Sequence, residues 1–200
     1  MRYRLPLIGG LAFVVGVLIA LVFFPKVWQG HVPSSLSVGQ ALIGGPFTLV
    51  NQDGKTVTDK TYRGKYMLVE FGYTFCPDVC PTGLQVISAA LDEIGPKADK
   101  VVPLFISVDT ERDTPKQLKQ YVGSFNPRLQ GLTGTPEEIA AAAKAYRVYY
   151  KKVEDPKSTA GYTYDHSALI YLMGPDGKYV THFPYSTNPD KMAARLKEIL

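Results

Sequence analysis

The chain holds two cysteines, and both lie in one short run, Thr74-Phe75-Cys76-Pro77-Asp78-Val79-Cys80-Pro81. An apolar stretch from Tyr66 to Phe71 leads in, and a helix-compatible stretch leads out from Thr82. A thiol pair between a strand and a helix start is chemically poised. The unpaired N–H groups and positive dipole end of the helix favour thiolate over thiol. Thiolates attack disulfides or hold a soft metal ion such as Cu(I). A structural bridge is the third use, but closing so short a loop removes little chain entropy and stabilises only modestly. Redox-type dithiols are commonly spaced by two residues. The three-residue gap, with prolines at 77 and 81, makes a wider and stiffer loop that can point two sulfurs at one external atom. The spacing leans towards a metal and leaves exchange open.

The elements around the thiols can be read from pattern and caps. Pro46–Val50 reads as a strand, the Asp-Gly turn within Asn51–Lys55 reverses it, and Thr56–Thr58 returns as the second strand of a hairpin. Tyr66–Phe71 is a nearly continuous apolar strand. Leu84, Ile87, Leu91 and Ile94 recur at helical spacing. Val101–Val108 is apolar on both faces, as a central strand under helices should be. Thr114-Pro115 and Asn188-Pro189 each set a capping residue before proline at the first helical position. Thr135-Pro136-Glu137-Glu138 completes a capping box. Tyr146–Lys151 and Ser167–Met173 lie between the last two helices. A Gly174-Pro175-Asp176-Gly177 turn and a strand near Lys178–Phe183 follow. The order predicts an α/β fold: a thioredoxin-like central sheet flanked by helices, with an N-terminal β-hairpin and a helix-containing insertion.

Two thiolates rarely complete a metal site, so a third ligand is sought among His31, His166 and His182. His31 lies in a polar tether and reads as solvated. His182 sits within a strand beside Thr181 and Phe183. His166 directly precedes the apolar stretch Ser167–Met173, and in a thioredoxin-like sheet the loop entering that strand lies against the thiol turn. Its imidazole is therefore the candidate third donor; a histidine hydrogen-bonded at a strand end is the other reading. Asp165 is a candidate to orient the ring or loop from outside the ligand set. Asp78, between the cysteines, can bond the loop backbone, meet a docking partner or simply form the turn. Two thiolates favour Cu(I), and an imidazole extends tolerance to Cu(II). Structural zinc normally takes four protein ligands, and three are visible.

Composition places this chemistry in a compartment. Leu5–Phe24 contains no charged residue and spans 20 residues, about what a helix needs to cross a bilayer core. Arg2 and Arg4 precede it and only Lys26 follows closely, so the positive-inside bias puts the remainder of the chain outside the cytoplasm. A cleaved signal peptide would have a shorter apolar core and a small-residue cleavage site; Phe23-Phe24-Pro25-Lys26-Val27-Trp28 offers none. The predicted organisation is a transmembrane anchor over residues 1–28, a tether over 29–37 and one domain over 38–200. The formal net charge of +4 includes the two flanking arginines. No arginine-rich stripe points to nucleic acid.

The chain resembles the SCO/SenC family of membrane-tethered copper proteins that help assemble the copper centre of cytochrome c oxidase. The residues that carry the resemblance are Phe71 to Thr82 around the thiols, Ser107-Val108-Asp109-Thr110-Glu111-Arg112-Asp113-Thr114-Pro115, and Asp165-His166-Ser167-Ala168 with Tyr171-Leu172 and Pro175-Asp176-Gly177. Thr110 departs from the family's proline, at a turn away from the ligands. The resemblance implies copper, Cu(I) or Cu(II), one per monomer, on Cys76, Cys80 and His166, with the family's motif aspartate falling on Asp78. It implies delivery of copper to the copper-binding oxidase subunit, a periplasmic copper donor and a thiol reductant. The alternative is a thiol-disulfide oxidoreductase, with Cys76 attacking and Cys80 resolving, that reduces the subunit's own cysteines. The expected location is the cytoplasmic (inner) membrane, single-pass, with the domain on the periplasmic side; in a eukaryote it is the mitochondrial inner membrane, facing the intermembrane space. A peroxidase is disfavoured because Thr74 is two residues before Cys76, where such enzymes place threonine three before.

Overall fold

A computed structural model of the chain describes residues 42–156 and 160–200. The predicted anchor over 1–28, the tether over 29–37 and His31 lie outside the described residues. Among the described residues no helix is long and apolar enough to cross a membrane.

Strands β1 (Thr48–Asn51) and β2 (Thr56–Thr58) form the expected antiparallel hairpin. Its turn is held by Asn51 Oδ1, which accepts the backbone N–H groups of Asp53 and Lys55, each at 3.0 Å. Gly54 takes φ 76° there, a conformation that L side chains rarely adopt. Strand β3 (Tyr66–Gly72) is buried from Met67 onward. Helix α1 (Val79–Ile94) starts three residues before Thr82, so Cys80 stands inside its first turn. Pro81 is tolerated in that turn because the N–H it lacks has no intrahelical partner. Strand β4 (Val101–Ser107), helix α2 (Pro115–Val122), strand β5 (Gln130–Thr133) and helix α3 (Pro136–Ala145) follow. Strands β6 (Tyr150–Glu154), β7 (Tyr162–His166), β8 (Leu169–Met173) and β9 (Tyr179–Pro184) precede the last helix, α4 (Pro189–Ile199).

The capping pairs act as the sequence predicts. Thr114 Oγ1 accepts from Gln117 N–H, and Asn188 Oδ1 accepts from Asp190 and Lys191 N–H. Thr135 and Glu138 exchange reciprocal bonds at 2.8 and 3.3 Å. Each such cap is worth about 1 kcal/mol.

The main sheet runs β2-β1-β5-β4-β3-β8-β9, with β3, β4 and β5 parallel to one another and the outer strands antiparallel. Helices α1 and α4 pack against each other. Side-chain alternation along β3 assigns its neighbours. Glu70 and Gly72 lie under α1, while Phe71 turns to the other face and packs on Tyr146 at 5.4 Å. The mixed sheet with its helices is the predicted thioredoxin-like arrangement.

Two features differ from the expectation. Strand β5 was not legible, being four residues long with a glycine at its second position. His166 ends a strand and does not sit in a loop. Strands β6 and β7 form a two-stranded antiparallel ribbon that pairs with no strand of the main sheet. Its residues mix Lys, Glu and Asp with tyrosines and leave no buried stripe, so the period-2 signal is weak.

Candidate metal centre

The C-terminal end of β3 and the N-terminal turn of α1 bring the thiols together. A Cβ on Gly72 would stand 2.5 Å from Cys80 Sγ and 2.8 Å from the Phe105 ring. Glycine at 72 is therefore what lets the Cys80 sulfur settle onto the strand. Cys80 has no exposed surface and Cys76 is 8% exposed. Both are free cysteines. The turn before Cys76 is fixed by Asp113, which accepts the backbone N–H of Thr74 at 2.8 Å and its hydroxyl at 2.5 Å. Asp113 also accepts the Ser107 hydroxyl.

The two thiols are chemically unequal. A hydrogen bond from Cys80 stabilises the Cys76 thiolate, and burial opposes it. His166 and the backbone N–H groups of Asp78 and Cys80 add to the stabilisation, and the Cys76 thiol is pulled down to about 4. Cys80 is pushed up by donating to Cys76 and by its own burial. The metal-free pair thus holds one thiolate and one thiol, with the helix start supplying the amide donors.

The third donor arrives on the ribbon. His166 Nε2 lies 3.4 Å from Cys80 Sγ, and Nδ1 lies 3.1 Å from the Ser167 carbonyl oxygen. A carbonyl can only accept, so Nδ1 carries a proton and Nε2 is the ring nitrogen turned towards the sulfurs. The three donor atoms lie within 4.8 Å of one another. The Tyr73 ring and the imidazole stand nearly perpendicular, at a centroid distance of 5.8 Å. Two sulfurs and one imidazole nitrogen form a soft set that suits copper and falls one ligand short of a structural zinc site.

Of the other residues singled out in the sequence, His182 lies on β9, with Nδ1 2.5 Å from the Tyr179 hydroxyl. Asp78 is exposed at the N-cap of α1, where its carbonyl accepts Thr82 N–H at 3.1 Å and its side chain makes no cap bond. The partner that holds the His166 ring is the Ser167 carbonyl. Asp165 is exposed and lies opposite Lys151 across the ribbon; successive side chains on a strand point to opposite faces, so it is turned away from the face that carries the imidazole. Two surface clefts, of ≈ 350 and ≈ 460 Å³, share Asn51, Lys65, Val102 and Gln130. They open where β3 and β4 begin, at the far end of these strands from the thiols.

One buried acid was not anticipated. Glu70 is 2% exposed, and its Oε2 has no hydrogen-bond partner among the described residues. It lies two residues before Gly72 on the same face, beneath Gly83, where any Cβ would collide with the carboxyl group. Burial pushes its carboxyl well above the ordinary range, with the Cys76 charge adding to the effect. The folded chain therefore keeps a proton that the unfolded chain releases near the usual pKa of about 4.3. The stability this confers is complete below that pKa. It is lost as pH rises towards the folded value, by up to about 1.4 kcal/mol per pH unit. Glu70→Gln keeps the shape and removes the slope. Urea unfolding should find the variant more stable than the parent at pH 8 and level with it at pH 4; parallel pH profiles would contradict this.

Residues 37–200 match the SCO1/SenC family. The mitochondrial SCO1 homolog 1 of Arabidopsis thaliana is 48% identical over 157 residues, covering 78% of this chain and 46% of its own length. The chain spans about half the length of the first curated relatives it matches. The solved structure of Bradyrhizobium japonicum ScoI, described with copper bound, is 54% identical with a TM-score of 0.73, over 79% of this chain and 99% of that one. BsSco, described as having a disulfide switch and as a member of the Sco family of cytochrome c oxidase assembly proteins, is 28% identical with a TM-score of 0.61. That match covers 78% of this chain and 92% of BsSco.

Proposed function

This chain belongs to the SCO1/SenC family, and on that premise we propose that it binds one copper ion through Cys76, Cys80 and His166 and passes it to the copper-binding subunit of cytochrome c oxidase. The observation that carries this reading is the convergence of three donors, from β3–α1 and from the ribbon, within 4.8 Å. Three donors leave a copper ion open to an incoming thiolate. His166 is only partly buried, so an acceptor can approach from the ribbon side. Transfer then proceeds by exchange of ligands, which makes the chain a metallochaperone more than an enzyme. Copper arrives from a donor protein on the same side of the membrane, and a thiol reductant keeps both cysteines reduced. We propose further that the apolar run Leu5–Phe24 anchors the chain in the cytoplasmic membrane with the copper domain on the periplasmic side, or in its mitochondrial counterpart facing the intermembrane space.

A second reading is favoured by the unequal thiols. In it the Cys76 thiolate attacks a disulfide in the oxidase subunit, forming a mixed disulfide and releasing one client thiolate. Cys80, giving its proton to that thiolate, then attacks Cys76 Sγ and releases the second. The client gains two electrons, and Cys76 and Cys80 end as a disulfide.

One experiment separates the two readings. The chain, copper-loaded or metal-free, is mixed with the recipient's soluble domain, with the recipient cysteines either reduced or oxidised. Delivery predicts that copper moves to the reduced recipient while Cys76 and Cys80 stay reduced. Reduction predicts that the metal-free chain reduces the oxidised recipient, and that a Cys80→Ser variant stays trapped on it. Copper that remains on the chain in the presence of excess reduced recipient would refute delivery.

A further inference from the structure

The imidazole rides on a ribbon outside the main sheet, so sheet hydrogen bonds do not set its distance from the thiols. Where β7 runs into β8 the two arms of the ribbon are tied to each other: Ser167 N–H bonds the Tyr149 carbonyl, and the Ser167 hydroxyl accepts Tyr149 N–H. Against the thiol loop the ribbon is held by side chains, and several of these converge on Arg112.

Arg112 Nε bonds the Asp109 carboxylate, and Nη1 donates to the carbonyls of Ala160 at 3.1 Å and Tyr162 at 3.2 Å. Its guanidinium carbon lies 3.7 Å from the centroid of the Tyr162 ring and 4.6 Å from that of Phe75, the residue before Cys76. The centroid of the Tyr73 ring is 5.9 Å away. One planar group therefore touches the ribbon and the thiol loop at once. The surroundings reinforce it. The Tyr162 hydroxyl donates to Asp109 at 2.9 Å, and Lys152 pairs with Glu111 at 2.9 Å. Asp113, one residue on, holds Thr74 of the thiol loop. A second and separate tie is the 2.5 Å hydrogen bond between the hydroxyls of Tyr73 and Thr163.

We propose that Arg112 is a positioning residue for the metal centre: its guanidinium fork locks the His166 ribbon against the thiol loop and so fixes the gap between imidazole and sulfurs. Its hydrogen-bond partners are Asp109, Ala160 and Tyr162, none of which is a donor to the metal. The role requires the planar fork and the stacking face, which lysine lacks although it keeps the charge. The inference rests on the Cys76–Cys80–His166 reading.

The test uses the full chain with Arg112→Lys, Tyr162→Ala, Thr163→Val and, in parallel, His166→Ala. Readouts are Cu(I) and Cu(II) affinity by competition, nitrogen splitting in the Cu(II) electron paramagnetic resonance spectrum, and amide hydrogen exchange over 162–166 in the metal-free protein. Arg112→Lys should lower Cu(II) affinity by about 10–100-fold, the range for partners outside the ligand set. It should also weaken the nitrogen splitting and speed exchange in the ribbon, with a smaller loss for Cu(I). Thr163→Val should move every readout the same way by less. A folded Arg112→Lys protein with parental Cu(II) affinity and splitting would overturn the proposal. If that variant does not fold, parental values for Tyr162→Ala, which removes the ring the guanidinium stacks on, overturn it. Loss of affinity in His166→Ala but not in Arg112→Lys rejects the clamp alone. Parental affinity in His166→Ala rejects the three-donor site on which the clamp depends.

Discussion

Cys76→Ser is expected to remove copper binding. Cys76 is the thiolate of the resting pair, stabilised by the Cys80 thiol, by His166 and by two backbone amides. Serine in its place offers a hydroxyl that stays protonated at any working pH, and a hard oxygen is a poor ligand for a soft ion. The loss should exceed the roughly 10–100-fold typical when a partner outside the ligand set is removed, because a donor itself is gone. Competition against a chromophoric chelator measures it directly. The fold should survive, since serine is the smaller side chain and the position keeps 8% exposure. Cys80→Ser should be as severe for copper and somewhat worse for stability, because Cys80 is wholly enclosed beside Gly72 and Phe105. Parental affinity in either variant would place the metal elsewhere.

His166→Ala should split the two oxidation states. Two thiolates alone satisfy Cu(I), whereas Cu(II) depends on the imidazole. Cu(II) affinity is therefore expected to fall by about 100-fold or more, the upper end of what loss of a mere supporting group would cause, with a smaller fall for Cu(I). The substitution removes the hydrogen bond from Nδ1 to the Ser167 carbonyl and the longer contact of Nε2 with Cys80 Sγ, the first worth about 1 kcal/mol. A melting curve close to the parent's would therefore accompany the binding loss. Equal losses for both ions, together with a collapsed melting temperature, would mean that His166 supports the fold and is not a ligand.

The parts of this site that were legible in the sequence are those written in local chemistry. The thiol pair sits at a strand-to-helix junction that hydrophobic runs and helical spacing define on their own. The caps at Thr114, Thr135 and Asn188 mark three helix starts within a residue. The pairing of His166 with the thiols needed the thioredoxin-like order as well, since 86 positions separate it from Cys80. What stayed hidden depends on tertiary contact. Glu70 looks like an ordinary polar interruption of an apolar strand until Gly83 is seen to close over it. The ribbon carries no buried stripe, so its strands read as connecting chain. Arg112 and Asp113 stood in a run noted for its family resemblance, yet nothing local said that one grips the ribbon and the other the thiol loop. The spacing Asp109-x-x-Arg112-Asp113 was the available signal, and its meaning lies in residues about 40 to 50 positions away.

The most direct measurement is X-ray absorption at the copper edge on the full chain loaded to saturation, with metal and protein counted in the same sample. One copper per chain, with two sulfurs and the multiple-scattering signature of one imidazole that vanishes in His166→Ala, is the predicted result. A parent spectrum with sulfur donors only, or one unchanged by the loss of His166, would contradict the three-donor centre.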